Sequence, residues 1–515
     1  MLRPLAGLAV VFLLGSAAAQ HGVVPLPRAV EAGGGTYVDK GLVAAGMLPA
    51  GTIDFLGDTL GSFSSLMIEP GSWQRDGDTY TGVLWTLPDR GRNDPERGVF
   101  FDYRGRLHRF RFSMTLSEPA VPAIRRQRAS LPRTTVAAEA APTAAVTIVP
   151  DGGRVLQDFD GKPFTGADPG TGTRIERGIV LPSPTDGTGA GKISLDAESL
   201  QFTRDGGFYV GDEYAAYVYR FDKGGRLTGV IVPPRSIRPL DADGKPDFSS
   251  LHAPATGRRN NQGVEGMALS PDGKRLFVAL QSALVQDTRA GDAAGRTLTR
   301  VLVYDVSRDP VPRRPMAHYV VRLPAYDADG AGGKPNRTAA QSEIRVLDDR
   351  RFLMLARDGA GLGAEGGKPI VFKSVLLVDT SGATNLAGTA YENGTTSILR
   401  NGGDLRPDIR TATWQPLVDL LDPTDLARVG LTLDPHAEGK ALLSEKWEAM
   451  DLVPALDPEH PGDWFLLLGN DNDFIARHCV MDGKRCDSAF DNDNRILVYR
   501  LSLPDTRSTN ASHHR

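Results

Sequence analysis

Cysteine, aromatic side chains and long apolar runs are all scarce in this chain. Two Cys stand among 515 residues and aromatics make up 7%, which rules out a disulfide-dense scaffold. Beyond the N-terminal segment no stretch approaches the ~20 uninterrupted apolar residues of a membrane-spanning helix. An excess of charge of one sign is missing as well: 59 basic against 63 acidic residues leave a net charge of −4, which carries no footprint of a nucleic-acid partner. The basic run Arg125, Arg126, Arg128 and Arg133 is local and reads as a solvated surface segment. There is no G-x-S-x-G elbow, no P-loop and no H-E-x-x-H motif. His252, His318, His436 and His460 are scattered without recurring context, so no Ser-His-Asp triad can be assembled from spacing.

Turn formers, by contrast, are plentiful, with 58 Gly and 36 Pro. They punctuate short β-type runs such as GVLWTL, GFYVGD, RLFVAL, RFLMLA, WFLLLG and RILVYRL, as strands joined by tight turns require. Helical pattern is sparse. Its best stretch is Trp414 to Val429, interrupted by Pro423, which predicts a short helix or two on a loop.

Five passages share a polar or acidic lead, a short apolar strand, a turn and a second strand with a polar end. They run from Leu60 to Gly91, Leu195 to Tyr214, Asn261 to Leu280, Ser342 to Gly359 and Glu445 to Phe474. Repeated sheet units escape the size limit of a single core because each adds a small core of its own. The expectation is therefore an all-β fold, a β-propeller. Gaps between the repeats leave room for one diverged unit, so six blades are expected, with an inserted loop and short helices.

Arg3, the apolar run from Leu5 to Leu14 and the small residues Gly15 to Ala19 predict a secretory signal over 1–19, cleaved near Ala19. Residues 20–35 then form an N-terminal arm, 36–503 the propeller with 125–149 as an inserted loop, and 504–515 a flexible tail. A secreted or periplasmic monomer is expected. In an exported protein Cys479 and Cys486, within HCVMDGKRC, are expected to form a local disulfide.

In a propeller the innermost strands line a central channel, so equivalent positions of successive units form a ring. Glu198, Glu265, Glu343 and Glu448 open their units, while Asp89, Glu213 and Asp471 stand at later strand ends. Carboxylates gathered in this way repel, by about 1 kcal/mol per pair ~4 Å apart in water and several times more near an effective dielectric of 20. Protonation, pairing with Arg or Lys, or a hard cation such as calcium offsets this. Glu198, Glu213, Glu265, Glu343, Glu448 and Asp471 are the candidate metal ligands. Arg90, Arg357, Lys373 and Lys446 are the nearby cations suited to an anionic substrate. Glu265, Arg90 and Arg357 are the candidate catalytic residues, and Asp89, Lys373 and Lys446 the candidate substrate contacts. The fragments at Asp158, Asp241 and Asp327 lack the full calcium-loop spacing and read as turns. Asn336, Asn393 and Asn510 head glycosylation sequons.

As an ordered set, SFSSLMI…WTLPDRG, ISLDAESLQFTRDGGFYVGDEY, NQGVEGMALSPDGKRLFVAL, FKSVLLVDT and GNDNDF resemble the phytase-like family with esterase-like activity, related in architecture to calcium-dependent β-propeller phytases. The resemblance spans roughly Leu60 to Leu501. It implies a secreted propeller that hydrolyses phosphoesters or related esters, with Glu198, Glu213, Glu265 and Glu448 holding metal. One departure stands at Ala356-Arg357, where the family pattern often has Glu-Arg. Alternatives are a non-catalytic calcium-stabilised propeller that binds a ligand or protein partner, and a lactonase-like hydrolase.

Overall fold

The computed structural model describes residues 28–94, 97–116, 144–289, 292–364, 366–400, 403–437 and 441–504. Almost all regular structure in it is antiparallel β. The expected signal peptide and the C-terminal tail from 505 onward lie outside the described residues, as does most of the expected inserted loop. No helix among the described residues is long and apolar enough to cross a membrane.

Five four-stranded units emerge, each ordered from an inner to an outer strand. Sheet I contains Ser65–Ile68, Thr79–Leu87, Arg106–Thr115 and Ala144–Val155. Sheets II and III run from Ala197–Phe202 to Leu227–Ile231 and from Val264–Leu269 to Ala317–Arg322. Sheet IV runs from Ala340–Val346 to Thr413–Asp419. Sheet V takes Lys446–Pro454, Asp463–Asp471 and Asn494–Ser502 from the end of the chain, and its fourth strand, Gly35–Leu48, from the beginning. The outer strands of sheets V and I also pair in parallel, from Ala44–Ala144 to Gly46–Val146.

The five repeats of the sequence are thus the five sheets, and no sixth four-stranded sheet occurs among the described residues. The long gap after the first repeat holds the extended strands of sheet I. The gap before the last holds the outer strand of sheet IV and the single-turn helices Ala390–Asn393 and Pro423–Arg428. The predicted helical stretch from Trp414 to Val429 divides between the expected short helix Pro423–Arg428 and that outer strand, which ends at Asp419. Pro416 is tolerated there because an edge strand need not donate every N–H. The helix that does form is capped by Asp422, whose Oδ1 accepts from Thr424 N at 2.8 Å, with Pro423 in the first turn. The expected N-terminal arm is also partly ordered, since Ala29–Ala32 folds back onto the strand that follows it.

Inner strands pack in succession: I beside II, II beside III, III beside IV, IV beside V, and V beside I. Apolar layers separate neighbouring sheets. Phe208 and Leu200 meet Trp85 and Leu107 between I and II; Met354 and Leu376 meet Phe277 and Val301 between III and IV; Phe465 and Ile496 meet Phe63 and Leu84 between V and I. Because both faces are covered, central strands such as Arg275–Leu280, Arg351–Arg357 and Lys373–Asp379 are buried nearly throughout, whereas Arg106–Thr115 alternates. Cys479 and Cys486 form the expected disulfide, within the loop that joins the second and third strands of sheet V.

Candidate active site: an acidic basin at the inner strands

In sheets II to V each inner strand carries a bulge at the same place, which leaves one residue out of register. The register skips Glu198 between Ala197 and Ser199, Glu265 between Val264 and Gly266, Ser342 between Gln341 and Glu343, and Glu448 between Trp447 and Ala449. A bulge re-aims the extra side chain, and Glu198, Glu265 and Glu448 converge so that one carboxylate oxygen of each lies within 4.8 Å of the others. In sheet I the corresponding residue is Ser64, next to the Ser65–Leu87 pair.

A second tier comes from the ends of the second strands, where Asp89, Glu213, Gln281, Arg357 and Asp471 hold equivalent positions. Together the tiers wall a basin of ≈ 180 Å³ with eight carboxylates against three cations, Arg90, Arg357 and Lys446. Oxygens of Asp89, Asp196 and Glu198 come within 4.8 Å of one another, and so do those of Asp89, Asp471 and Asp473. The cations are already engaged. Arg357 pairs with Glu448, Arg90 Nη1 lies 3.0 Å from Asp196, and Lys446 Nζ donates to Asp473 at 2.6 Å. Even so, Glu213 Oε1, Glu265 Oε2 and Arg357 Nε are buried without a hydrogen-bond partner. Such groups are costly unless something completes them.

Glu343 does not belong to this ring. The bulge in sheet IV falls on Ser342, one residue earlier, so Glu343 turns to a deeper level. It accepts from Ser65 Oγ at 2.8 Å and from Met267 N at 2.9 Å. Beside it Arg345 reaches Asp451 Oδ1 at 3.2 Å and Leu66 O at 3.1 Å, so these groups tie the inner strands of sheets I, III, IV and V together away from the basin wall. Lys373 is likewise set apart from the basin wall. It is fully buried, donating to Asp358 at 2.8 Å and to Glu445 O at 2.6 Å. Ala356 packs in the apolar layer between sheets III and IV, so the departure from Glu-Arg removes no carboxylate from the basin. Asp473, from the acidic run of GNDNDF, lines it, and so do Asp196 and the amides Asn93, Asn261 and Gln281, which had not been singled out. The signal for Asp196 was its place two residues before Glu198 in LDAESL, and Asp473 stood in the quoted run NDND.

Burial, and then the neighbouring carboxylates, push Glu198 and Glu265 well above the ordinary carboxylate range. Burial also lifts Asp471 strongly, Asp89 to about 7 and Glu213 to about 8. Burial would raise Asp473 too, but Lys446 beside it holds it below the usual value. A carboxyl whose folded-state pKa is raised contributes stability that is present below the unfolded value and lost as pH rises through the folded one. The metal-free protein should therefore lose about 5 °C or more of melting temperature between pH 7 and pH 8.5, above the range in which His108 and His318, lowered by burial, oppose the trend. Asp54, held at about 2 in spite of burial by His108 and Arg106, titrates below that window and does not mask the effect. A flat melting profile across that interval would refute the charge crowding described here.

A family model for phytase-like proteins, described as having the esterase-like activity of phytase, matches residues 73–474. The chain belongs to the phytase-like family. All of the basin lies inside the matched span. A curated relative from Arthroderma benhamiae, an uncharacterized secreted protein, is 33% identical over 489 residues, covering 88% of this phytase-like chain and 90% of the relative. Among solved structures, an ancestral GH74 enzyme is 11% identical, with a TM-score of 0.28, and the match covers 83% of this chain and 38% of that enzyme. The WD40 domain of Toxoplasma gondii coronin is 8% identical, with a TM-score of 0.25, covering 84% of this chain and 89% of that domain. Likenesses this distant say nothing about activity.

Proposed function

We propose that this phytase-like chain is an exported, metal-assisted hydrolase of phosphoesters or related esters, built as a closed five-bladed propeller whose acidic basin takes calcium. The observation that carries the reading is the charge imbalance of the basin, eight carboxylates against three cations, with oxygens of Glu213 and Glu265 left unpartnered. Succession of the inner strands from sheet I through V and back to I supports closure. The disulfide supports export, as does the likeness to a secreted relative.

The donor set fits a hard cation, because every ionisable ligand in the basin is a carboxylate and neither His nor Cys lines it. Glu198, Glu265 and Glu448 would hold one ion, with Asp89, Asp471 and Asp196 next to them. When bound, such an ion supplies charge neutralisation and Lewis acidity toward an ester oxygen and a water. The chain's own residues do the rest. Arg357 keeps a buried Nε–H without a hydrogen-bond partner, and Arg90, held by Asp196 at 3.0 Å, faces the same basin; both are placed to donate to a phosphoryl or carbonyl oxygen as negative charge builds on it. Tyr214 lies against the Arg90 guanidinium, 5.8 Å from ring centre to carbon, and holds it in place.

Purified protein should release phosphate from a model monoester, or a chromogenic alcohol from a carboxylic ester, in calcium but not after treatment with a chelator. Calcium at a hundredfold excess over its dissociation constant should stabilise the fold by about 2.7 kcal/mol. Near-zero rates in every condition, together with a calcium-dependent melting shift, would reject the enzyme and leave a calcium-stabilised binding protein.

A further inference from the structure

Outside the five sheets, one short hairpin links the last of them to the approach to the first. In it Val480–Met481 pairs with Lys484–Arg485, and the Cys479–Cys486 bridge closes the base. Every residue from Asp482 to Arg485 is exposed, whereas Met481 is fully buried. The hairpin grows from sheet V and is fastened ahead of sheet I: Val480 N donates to Thr59 Oγ1 at 2.9 Å and Asp482 N to Asp58 Oδ1 at 2.9 Å. Asp58 is itself held by Arg106 at 2.9 Å.

Met481 carries the connection to the basin. It packs with Tyr103 and Phe474 in a cluster of its own, with Cys486 against it, and the two rings meet edge to face, their centroids 5.3 Å apart. On one side of this cluster lies Gly91, the residue after Arg90. A Cβ there would stand 2.7 Å from Tyr103 Cγ and 2.9 Å from Met481 Sδ, and the backbone is left-handed at φ +90°. On the other side Phe474 follows Asp473 directly, and these two also hold left-handed backbones, φ +54° and +51°. An aromatic residue keeps that conformation only where its surroundings impose it. The same backbone orients the acids: Gly91 N donates to Asp89 Oδ1 at 2.8 Å and Asp473 N to Asp471 Oδ1 at 2.7 Å. Asp89, Asp471 and Asp473, from the second-strand ends of sheets I and V, are three acids whose oxygens gather within 4.8 Å of one another. Both segments thus rest on one buried side chain. A two-stranded hairpin this short is not stable alone, and the disulfide keeps it folded with Met481 inserted.

We infer that the disulfide-closed hairpin sets the spacing of Asp89, Asp471 and Asp473 through Met481, which makes Met481 a positioning residue for the hard divalent cation those carboxylates take. This rests on the metal-assisted reading of the basin, and the test separates the two. A backing side chain of this kind acts on affinity as the partners of metal ligands do, because it holds the oxygens together before the ion arrives and binding need not order them. The Glu198, Glu265 and Glu448 cluster has no such dependence. Its carboxylates are aimed by bulges inside sheets II, III and V.

Calcium is titrated calorimetrically into the calcium-free protein, into its M481A, M481L and C479S/C486S variants, and into M481A combined with D471N or with E265Q. Each titration is run well below the melting midpoint of that variant in chelator. M481A and C479S/C486S should each weaken calcium binding about tenfold, while M481L, which refills the pocket, should stay within about threefold of wild type. The loss caused by M481A should vanish in D471N, where the aspartate triad is already broken, and persist in E265Q. A general softening of the fold would instead weaken binding alike in all three backgrounds. The calcium concentration for half-maximal ester release should rise in the same proportion as the dissociation constant. Calcium affinity unchanged in M481A and C479S/C486S, or an equal loss in the D471N background, would overturn the inference while leaving metal-assisted hydrolysis in place. Absence of calcium binding by wild type would overturn both.

Discussion

Glu265→Gln should reduce ester hydrolysis by at least about a hundredfold and at the same time raise the melting temperature of the calcium-free protein above pH 7. The two effects have opposite signs because Glu265 sits where function and stability conflict. Its Oε1 accepts from Gln281 Nε2 at 2.9 Å, a bond that a glutamine carbonyl retains. Its Oε2 has no partner, and Glu213 and Glu448 are the charges that press on it. At ~4 Å and an effective dielectric near 20, one such pair costs about 4 kcal/mol. Neutralising the side chain removes that repulsion while preserving its shape. It also removes one of the three oxygens that approach within 4.8 Å in the Glu198, Glu265 and Glu448 cluster, so the melting shift produced by calcium should shrink. The comparison needs hydrolysis rates, calorimetric calcium titration and melting with and without chelator. An unchanged rate with an unchanged calcium response would remove Glu265 from the site.

Deleting residues 28–48 should leave a protein that fails to fold as a monomer. Sheet V depends on Gly35–Leu48 for its fourth strand, and Val30, Tyr37, Leu42 and Leu48 are buried between sheets. At ~1.5–3 kcal/mol for each large side chain, their burial supplies about 6–12 kcal/mol, comparable with the whole stability of a typical domain. Loss of the strand also exposes the backbone of Asn494–Ser502 as an unpaired edge, which invites association with other chains. A synthetic peptide of residues 28–48 added in trans should restore soluble, cooperatively melting protein by strand addition. A truncated chain that melts as wild type does would show that the N-terminal strand is dispensable to closure.

Much of the fold was legible in the chain because its signals are local. Short apolar runs bounded by Gly, Asn and Asp mark strands, and each polar lead marks the start of an inner strand. The four leads at Glu198, Glu265, Glu343 and Glu448 fall on the inner strands of sheets II to V. A sixth unit was expected only because loop length and strand length cannot be separated by composition. Nor could the pattern after Trp414 distinguish a helix from an edge strand, since burial on one side gives apolar residues in either case.

By itself the sequence determined an all-β chain of repeated units, a pair of cysteines close enough to bridge, and a set of acids at equivalent places in successive repeats. Tertiary structure alone decided which of those acids meet. A bulge of one residue turns a side chain to another face, and that single step puts Ser342 in the ring and buries Glu343 beneath it. Pairing across sheets is equally invisible to local pattern: Arg357 finds Glu448, and Lys373 is sequestered by Asp358. Spacing along the chain encodes strands and their faces, whereas charge balance depends on which faces the packed sheets bring together.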